Sequence, residues 1–177
     1  HGTVVVMETE TGEIRAISNL GKNASGKYYE RLNYAIGESH EPGSTFKLMA
    51  LAVALEDQKI DTTTLVDTKK GILSFYGKKV RDSKKGGYGQ ISVGKAFEIS
   101  SNTGIVSAIH EAYKKDASSF VDGLYRMNLH DSLGLTLVGE GKSIIPDPRI
   151  KNNRWSGIAL QWMAYGYGVS LTPLQTL

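Results

Sequence analysis

Glu41-Pro42-Gly43-Ser44-Thr45-Phe46-Lys47 decides the reading of this chain, because it places a serine and a lysine three positions apart at the start of a strongly apolar run. Three residues is close to one helical turn, so the Ser44 hydroxyl and the Lys47 amine share a face. Burial or a cationic neighbour can hold a lysine partly neutral, and a neutral amine beside a serine can take its proton and create a nucleophile. The run from Ser44 to Leu55 is apolar on nearly every side and predicts a buried helix.

Spacing alone does not establish this chemistry. A serine followed three residues later by a lysine occurs a second time, at Ser92-Val93-Gly94-Lys95. There Ser92 serves as a helix N-cap and Gly94 weakens the turn. Ser44 has the same bland alternative. A second polar cluster, Ser100-Ser101-Asn102, shifts the balance: it holds the only Ser-x-Asn in the sequence and falls at the junction of two expected helices. Helix capping would explain it too. Two polar clusters at the amino ends of buried helices nevertheless suit one task, in which a base, a proton-relaying hydroxyl and helix-end N–H groups surround a developing oxyanion.

The remaining sequence bounds the possibilities. The chain has 177 residues, within the size of one domain able to bury a core, and is read as one incomplete domain over residues 1–177. Without cysteine it has neither disulfides nor thiolate ligands. His1, His40, His110 and His130 show no metal-ligand spacing, so no metal or cofactor is expected; His40 is a lesser candidate for the base at Ser44. The net charge of +3 is concentrated locally, with Lys69, Lys70, Lys78, Lys79, Arg81, Lys84 and Lys85 in one glycine-rich stretch. Phe75, Tyr76 and Tyr88 among them would suit a nucleic-acid surface, but a solvated hairpin or loop explains them more simply. The longest apolar run, Leu48 to Leu55, is far below the roughly 20 residues of a membrane span.

The expected order is an opening hairpin (Thr3–Met7, Glu13–Ser18) and a long surface loop over 19–40, followed by the buried helix from Ser44. An extended stretch from Thr64 to Asp82 turns at Tyr76-Gly77. Helices follow from Ser92, from Asn102 or Thr103, and over Ala117–Met127, then a loop from Gly134 to Pro148. The last elements are an apolar stretch over Trp155–Gly168 and a helix opened by Thr172-Pro173.

Together, Glu-Pro-Gly-Ser-Thr-Phe-Lys at 41–47 and Ser-Ser-Asn-Thr-Gly at 100–104 resemble the transpeptidase domain of penicillin-binding proteins, a superfamily with a known serine-x-x-lysine motif. Val5 to Ile17 is similar to that family's first two strands, and Val80-Arg81-Asp82 to the segment ahead of its second motif. Gly139-Glu140 and Tyr165 to Gln175 are similar to the approach to its third. Tyr165-Gly166-Tyr167-Gly168 resembles the monofunctional enzymes of the division septum more than those of elongation, and Ser-Ser-Asn resembles a penicillin-binding protein more than a class A β-lactamase.

The resemblance implies an α/β (α+β) fold of the penicillin-binding protein and serine β-lactamase type, with a helical core, the first two strands of an antiparallel sheet and its last strands missing. It implies a D,D-transpeptidase acting on peptidoglycan stem peptides ending in D-Ala-D-Ala, and inhibited by β-lactams. Ser44 would be the nucleophile and Lys47 its base; Ser100 would relay the proton, and Asn102 would hold Lys47 and the substrate amide. It further implies other cell-wall synthesis and divisome proteins as partners, no nucleic acid, and an extracytoplasmic, periplasmic domain of an inner-membrane-anchored protein. The family's third motif, Lys-Thr-Gly or Lys-Ser-Gly, is not in the sequence, so the segment alone is expected to acylate poorly. A penicillin-sensing or scaffolding domain of the same fold that does not turn over is the alternative.

Overall fold

The computed structural model describes residues 1–151 and 153–177. Strands β1 (Gly2–Met7) and β2 (Ile14–Lys22) form the expected antiparallel hairpin, with Val5 opposite Ile17 and a bulge at Val6/Met7. Period-two alternation turns Thr3, Val5 and Met7 inward and leaves Val4 and Val6 exposed.

The expected loop over 19–40 is largely folded. A two-residue strand β3 (Tyr28–Tyr29) extends the sheet to three strands in the order β1-β2-β3, and a short helix α1 (Tyr34–Gly37) follows. The organiser is Asn19, a residue with poor strand propensity. Its buried amide accepts from the Ala35 N–H at 3.2 Å and donates to Asn33 Oδ1 at 3.1 Å, while its own N–H donates to Glu30 Oε1. Those bonds hold α1 against the sheet, where Ala35, Ile36 and Leu174 pack on Val5, Met7 and Ile17.

After a 3-10 turn (Gly43–Phe46), helix α2 runs from Lys47 to Glu56. Ala50, Val53 and Ala54 are buried, but the all-round burial expected of α2 needs correcting, because Leu48 is 59 % exposed. Strand β4 (Leu65–Asp67) pairs with β7 (Gln90–Ser92), and β5 (Ile72–Phe75) with β6 (Lys78–Arg81). The β5–β6 turn is at Tyr76-Gly77, where both residues have positive φ (48° and 76°), the backbone of a tight hairpin. Most of the basic residues between 69 and 89 decorate this hairpin and its flanks; Lys69 pairs with Asp67, and Lys84 lies over the Tyr88 ring.

Helices α3 (Val93–Glu98), α4 (Asn102–Tyr113) and α5 (Ala117–Arg126) complete the helical core with α6 (Ala159–Met163), while α7 (Pro173–Thr176) packs through Leu174 with α1 on the sheet. Helix α4 is the central element: Ile105, Val106, Ile109 and Tyr113 are fully buried among Phe46, Val53, Phe120, Leu124 and Met163. Gly123 costs α5 about 1 kcal/mol of helix propensity, but a Cβ there would meet Val53 Cγ1 at 2.1 Å, so it sets the close crossing of α5 on α2. The Tyr113 hydroxyl donates to Asp57 and the Tyr125 hydroxyl to Asp147, so the buried and the half-buried phenol are both satisfied. Thr172 and Gln175 form a reciprocal capping box on α7, as Thr172-Pro173 implied.

Candidate active site

The first polar cluster sits on the 3-10 turn. Eclipsed i and i+3 positions keep Ser44 and Lys47 on one ridge, with Ser44 exposed and Lys47 buried. Ser44 is not an N-cap: that position belongs to Pro42 and has no side-chain capping bond. The bland alternative therefore fails for Ser44 and holds for the second pair. Ser92 Oγ accepts from the Lys95 N–H, and Lys95 pairs with Glu98 at 2.7 Å.

The approach to Ser44 is held from the carboxyl end of the chain. The Gly43 N–H donates to the Gly166 carbonyl at 3.1 Å, and Glu41 Oε1 accepts from the Gly168 N–H at 2.8 Å. Gly166 has φ of 87°, and a Cβ on it would lie 1.9 Å from the Gly43 carbonyl oxygen, so no side chain fits. This is the physical use of the Tyr-Gly-Tyr-Gly stretch. His40 is fixed a few residues earlier, exchanging backbone hydrogen bonds with Leu171.

The second cluster divides its labour. Ser101, the middle residue, is the N-cap of α4 and accepts from the Gly104 N–H at 3.0 Å. That frees its neighbours. Ser100 has φ of 54°, a left-handed conformation costing a non-glycine residue on the order of 1–3 kcal/mol, which turns its carbonyl and hydroxyl together toward Lys47. Lys47 Nζ donates to Ser100 O at 2.8 Å, Ser100 Oγ at 2.9 Å and Asn102 Oδ1 at 2.6 Å. An ammonium has three hydrogens, and these acceptors take all of them. Asn102 Nδ2 donates in turn to the Arg81 carbonyl at 2.8 Å, which orients the amide.

Burial is the main influence on Lys47 and pulls its amine from an ordinary 10.5 to about 8; the negative charge of Asp82 works the other way. About a quarter of such an amine is neutral at pH 7.5. Asp82 itself accepts from Ser101 Oγ, the Thr103 N–H and Thr103 Oγ1, pinning the first turn of α4 to the end of β6. The sequence marked Asp82 only through the resemblance of Val80-Arg81-Asp82; its three acceptor roles depend on a meeting of β6 and α4 that no local pattern encodes. Glu41 stood in the first motif, but nothing local marked it as an anchor for Gly168.

The structure thus brings Lys47, Ser100 and Asn102 together through hydrogen bonds. No hydrogen bond joins Ser44 Oγ to Lys47 Nζ among the described residues, in keeping with an ammonium whose hydrogens are already engaged. Loss of one proton would free a lone pair on Nζ, the requirement for a base.

A buried amine bonded to Ser100 and Asn102, one turn from the exposed Ser44, is an arrangement that could support acyl transfer. Residues 2–177 match the family model of the penicillin binding protein transpeptidase domain, and the chain belongs to that family. It is 30% identical over 179 residues to the peptidoglycan D,D-transpeptidase FtsI of Escherichia coli K12, covering 98% of this chain and 29% of that protein. Stage V sporulation protein D of Bacillus subtilis is 29% identical, covering 97% and 26%. The chain therefore spans less than a third of these relatives. The apo transpeptidase domain of Burkholderia pseudomallei penicillin-binding protein 3 superposes with a TM-score of 0.77 at 24% identity, covering 97% of this chain and 46% of that one, which shows the shared fold.

Proposed function

We propose that the full-length protein is a peptidoglycan D,D-transpeptidase in which Ser44 is the acylated nucleophile and Lys47 its base. The observation that carries this reading is the buried Lys47 amine, lowered to about 8 and bonded to both Ser100 and Asn102. Ser44 Oγ attacks the carbonyl between the two terminal D-alanines while its proton passes to neutral Lys47 Nζ. The N–H of Ser44, in the first turn of the 3-10 helix where no preceding helical carbonyl reaches it, is available to the developing oxyanion. Collapse breaks the C–N bond, and the departing D-alanine amine takes its proton through Ser100 Oγ, 2.9 Å from the Lys47 nitrogen. Asn102 holds Lys47 and offers its amide to the donor peptide. Attack by an amine of a second stem peptide then cleaves the ester, forms the cross-link and restores Ser44.

A β-lactam imitating D-Ala-D-Ala stops this sequence at the ester. The name peptidoglycan D,D-transpeptidase carried by a relative supports an envelope location; an extracytoplasmic domain working in septal synthesis beside other divisome proteins is the reading that the resemblance of Tyr165-Gly166-Tyr167-Gly168 favours. Among the described residues no helix is long and apolar enough to cross a membrane. The sequence contains no Lys-Thr-Gly or Lys-Ser-Gly to receive the substrate carboxylate, and residues 1–177 alone acylate poorly on this reading.

The test is fluorescent penicillin labelling of the full-length protein followed by peptide mapping. An adduct on Ser44 that is lost in Ser44→Ala supports the assignment, and an adduct elsewhere overturns it. Cross-linking of stem peptides by the same preparation separates a turning-over enzyme from a penicillin sensor.

A further inference from the structure

We propose a zinc-class metal site on the segment leading to Ser44, formed by His1, Glu38 and His40. His1 Nε2 and His40 Nε2 lie 3.0 and 3.2 Å from one and the same oxygen, Glu38 Oε2, and one ligand atom from each of the three residues lies within 4.8 Å of the others. A tetrahedral zinc ion with bonds of about 2.1 Å separates its ligand atoms by about 3.4 Å. The two separations from Glu38 Oε2 are already near that spacing, and the third lies within 4.8 Å.

No ligand spacing along the chain marks this site. His1 and His40 are far apart in the chain, and only pairing of β1 with β2, followed by docking of α1 on that sheet, brings them to one carboxylate. The His1 imidazole is oriented by something other than Glu38, and the His40 side chain projects from a fixed backbone. The His1 ring stacks on Tyr34 with centroids 4.2 Å apart and planes at 17°. The His40 backbone donates to and accepts from Leu171. Preset orientation of this kind raises metal affinity, because less side-chain freedom is lost on binding.

Ligand type selects the metal. Two imidazole nitrogens and one carboxylate oxygen suit zinc among the abundant divalent ions, whereas magnesium and calcium require shells of oxygen. With neutral imidazoles, three lone-pair donors converge, and a dication replaces that mutual repulsion with bonds. Three protein ligands leave a fourth position for water. Bound zinc would tie the first strand to the segment that enters the catalytic turn through Glu41 and Pro42. The competing account is an ion-pair cluster, with protonated imidazoles donating to Glu38 and no affinity for metal.

Metal-stripped full-length protein titrated with Zn2+ by calorimetry at pH 7.5, with Mg2+ in parallel, distinguishes the two. The expected result is one Zn2+ per chain, no Mg2+ response, and affinity weakened roughly tenfold or more in both Glu38→Gln and His40→Ala. Co2+ supplied in place of zinc should give the intense visible bands of a four-coordinate site, a readout that needs no variant. Absence of stoichiometric binding, binding unchanged in both variants, or a six-coordinate cobalt spectrum would overturn the site. None of these readouts uses acylation, so failure here leaves the Ser44 assignment untouched and the reverse also holds.

Discussion

Lys47 Nζ and Asn102 Oδ1 are 2.6 Å apart, the shortest of the three hydrogen bonds that hold the lysine, and they join the start of α2 to the start of α4. This bond unites the two motifs that the sequence presents separately. The same environment that satisfies the ammonium strips it of water, so the lysine is held in place and gives up its proton more readily at once.

Replacing Lys47 exposes the cost of that burial. A lysine whose folded value lies below its unfolded value destabilises the fold at low pH, and the penalty fades as pH rises from about 8 to 10.5. Stability of the wild type relative to Lys47→Met should therefore increase over that window, by up to about 3 kcal/mol. Denaturant unfolding of both proteins at pH 7.5 and 10 checks it; a gap that stays constant would mean that the amine is not displaced.

Asp82→Asn removes the charge that raises Lys47 and leaves desolvation unopposed. The midpoint of acylation against pH should move to the acid side. The variant should also lose about 1–3 kcal/mol of stability as its bonds to Ser101 and Thr103 weaken. A purely structural role for Asp82 would change stability and leave the midpoint in place.

Ser100 separates conformation from chemistry. Its φ of 54° suits glycine, so Ser100→Gly should be more stable than Ser100→Ala by about 1 kcal/mol. Both should be slow to acylate if the Ser100 hydroxyl is the proposed relay, since neither variant carries it. Thermal unfolding and labelling rates measured on the pair test the two halves independently.

Gly166→Ala should distort the turn before Ser44, because its Cβ collides with the backbone of Gly43 rather than with a side chain that could rotate away. Acylation should fall at least tenfold, as expected when a reacting atom is misplaced by a fraction of an ångström. Gly139→Ala is the control: it has open space around it and only a strained φ to contend with. Equal rates for the two variants would show that the Gly43–Gly166 contact does not position the nucleophile.

What the sequence made legible was local. The hairpin, the turn at Tyr76-Gly77, the Ser92 cap and the Thr172-Pro173 start all depend on residues within a few positions of one another, and each is present. The fold over 19–40 was missed because one buried amide, Asn19, organises it through partners at Glu30, Asn33 and Ala35. Leu48 is solvent-facing although its neighbours are buried, since composition reports how apolar a helix is and not what covers each side. At the site, the motifs named Ser44, Lys47, Ser100 and Asn102, but which serine was the cap and which faced the lysine required the backbone: Ser101 caps and Ser100 turns inward. Asp82, Glu41 and Gly166 act through contacts between distant segments and left no trace in spacing.

The most direct test of the account is the rate of Ser44 acylation by a penicillin, measured on the full-length protein between pH 6 and 10. A base must be neutral to accept the serine's proton, so the rate should rise with pH and level off through a midpoint near 8, the value burial gives Lys47. A rate independent of pH across that range, or one that falls as pH rises through 8, would contradict Lys47 as the base.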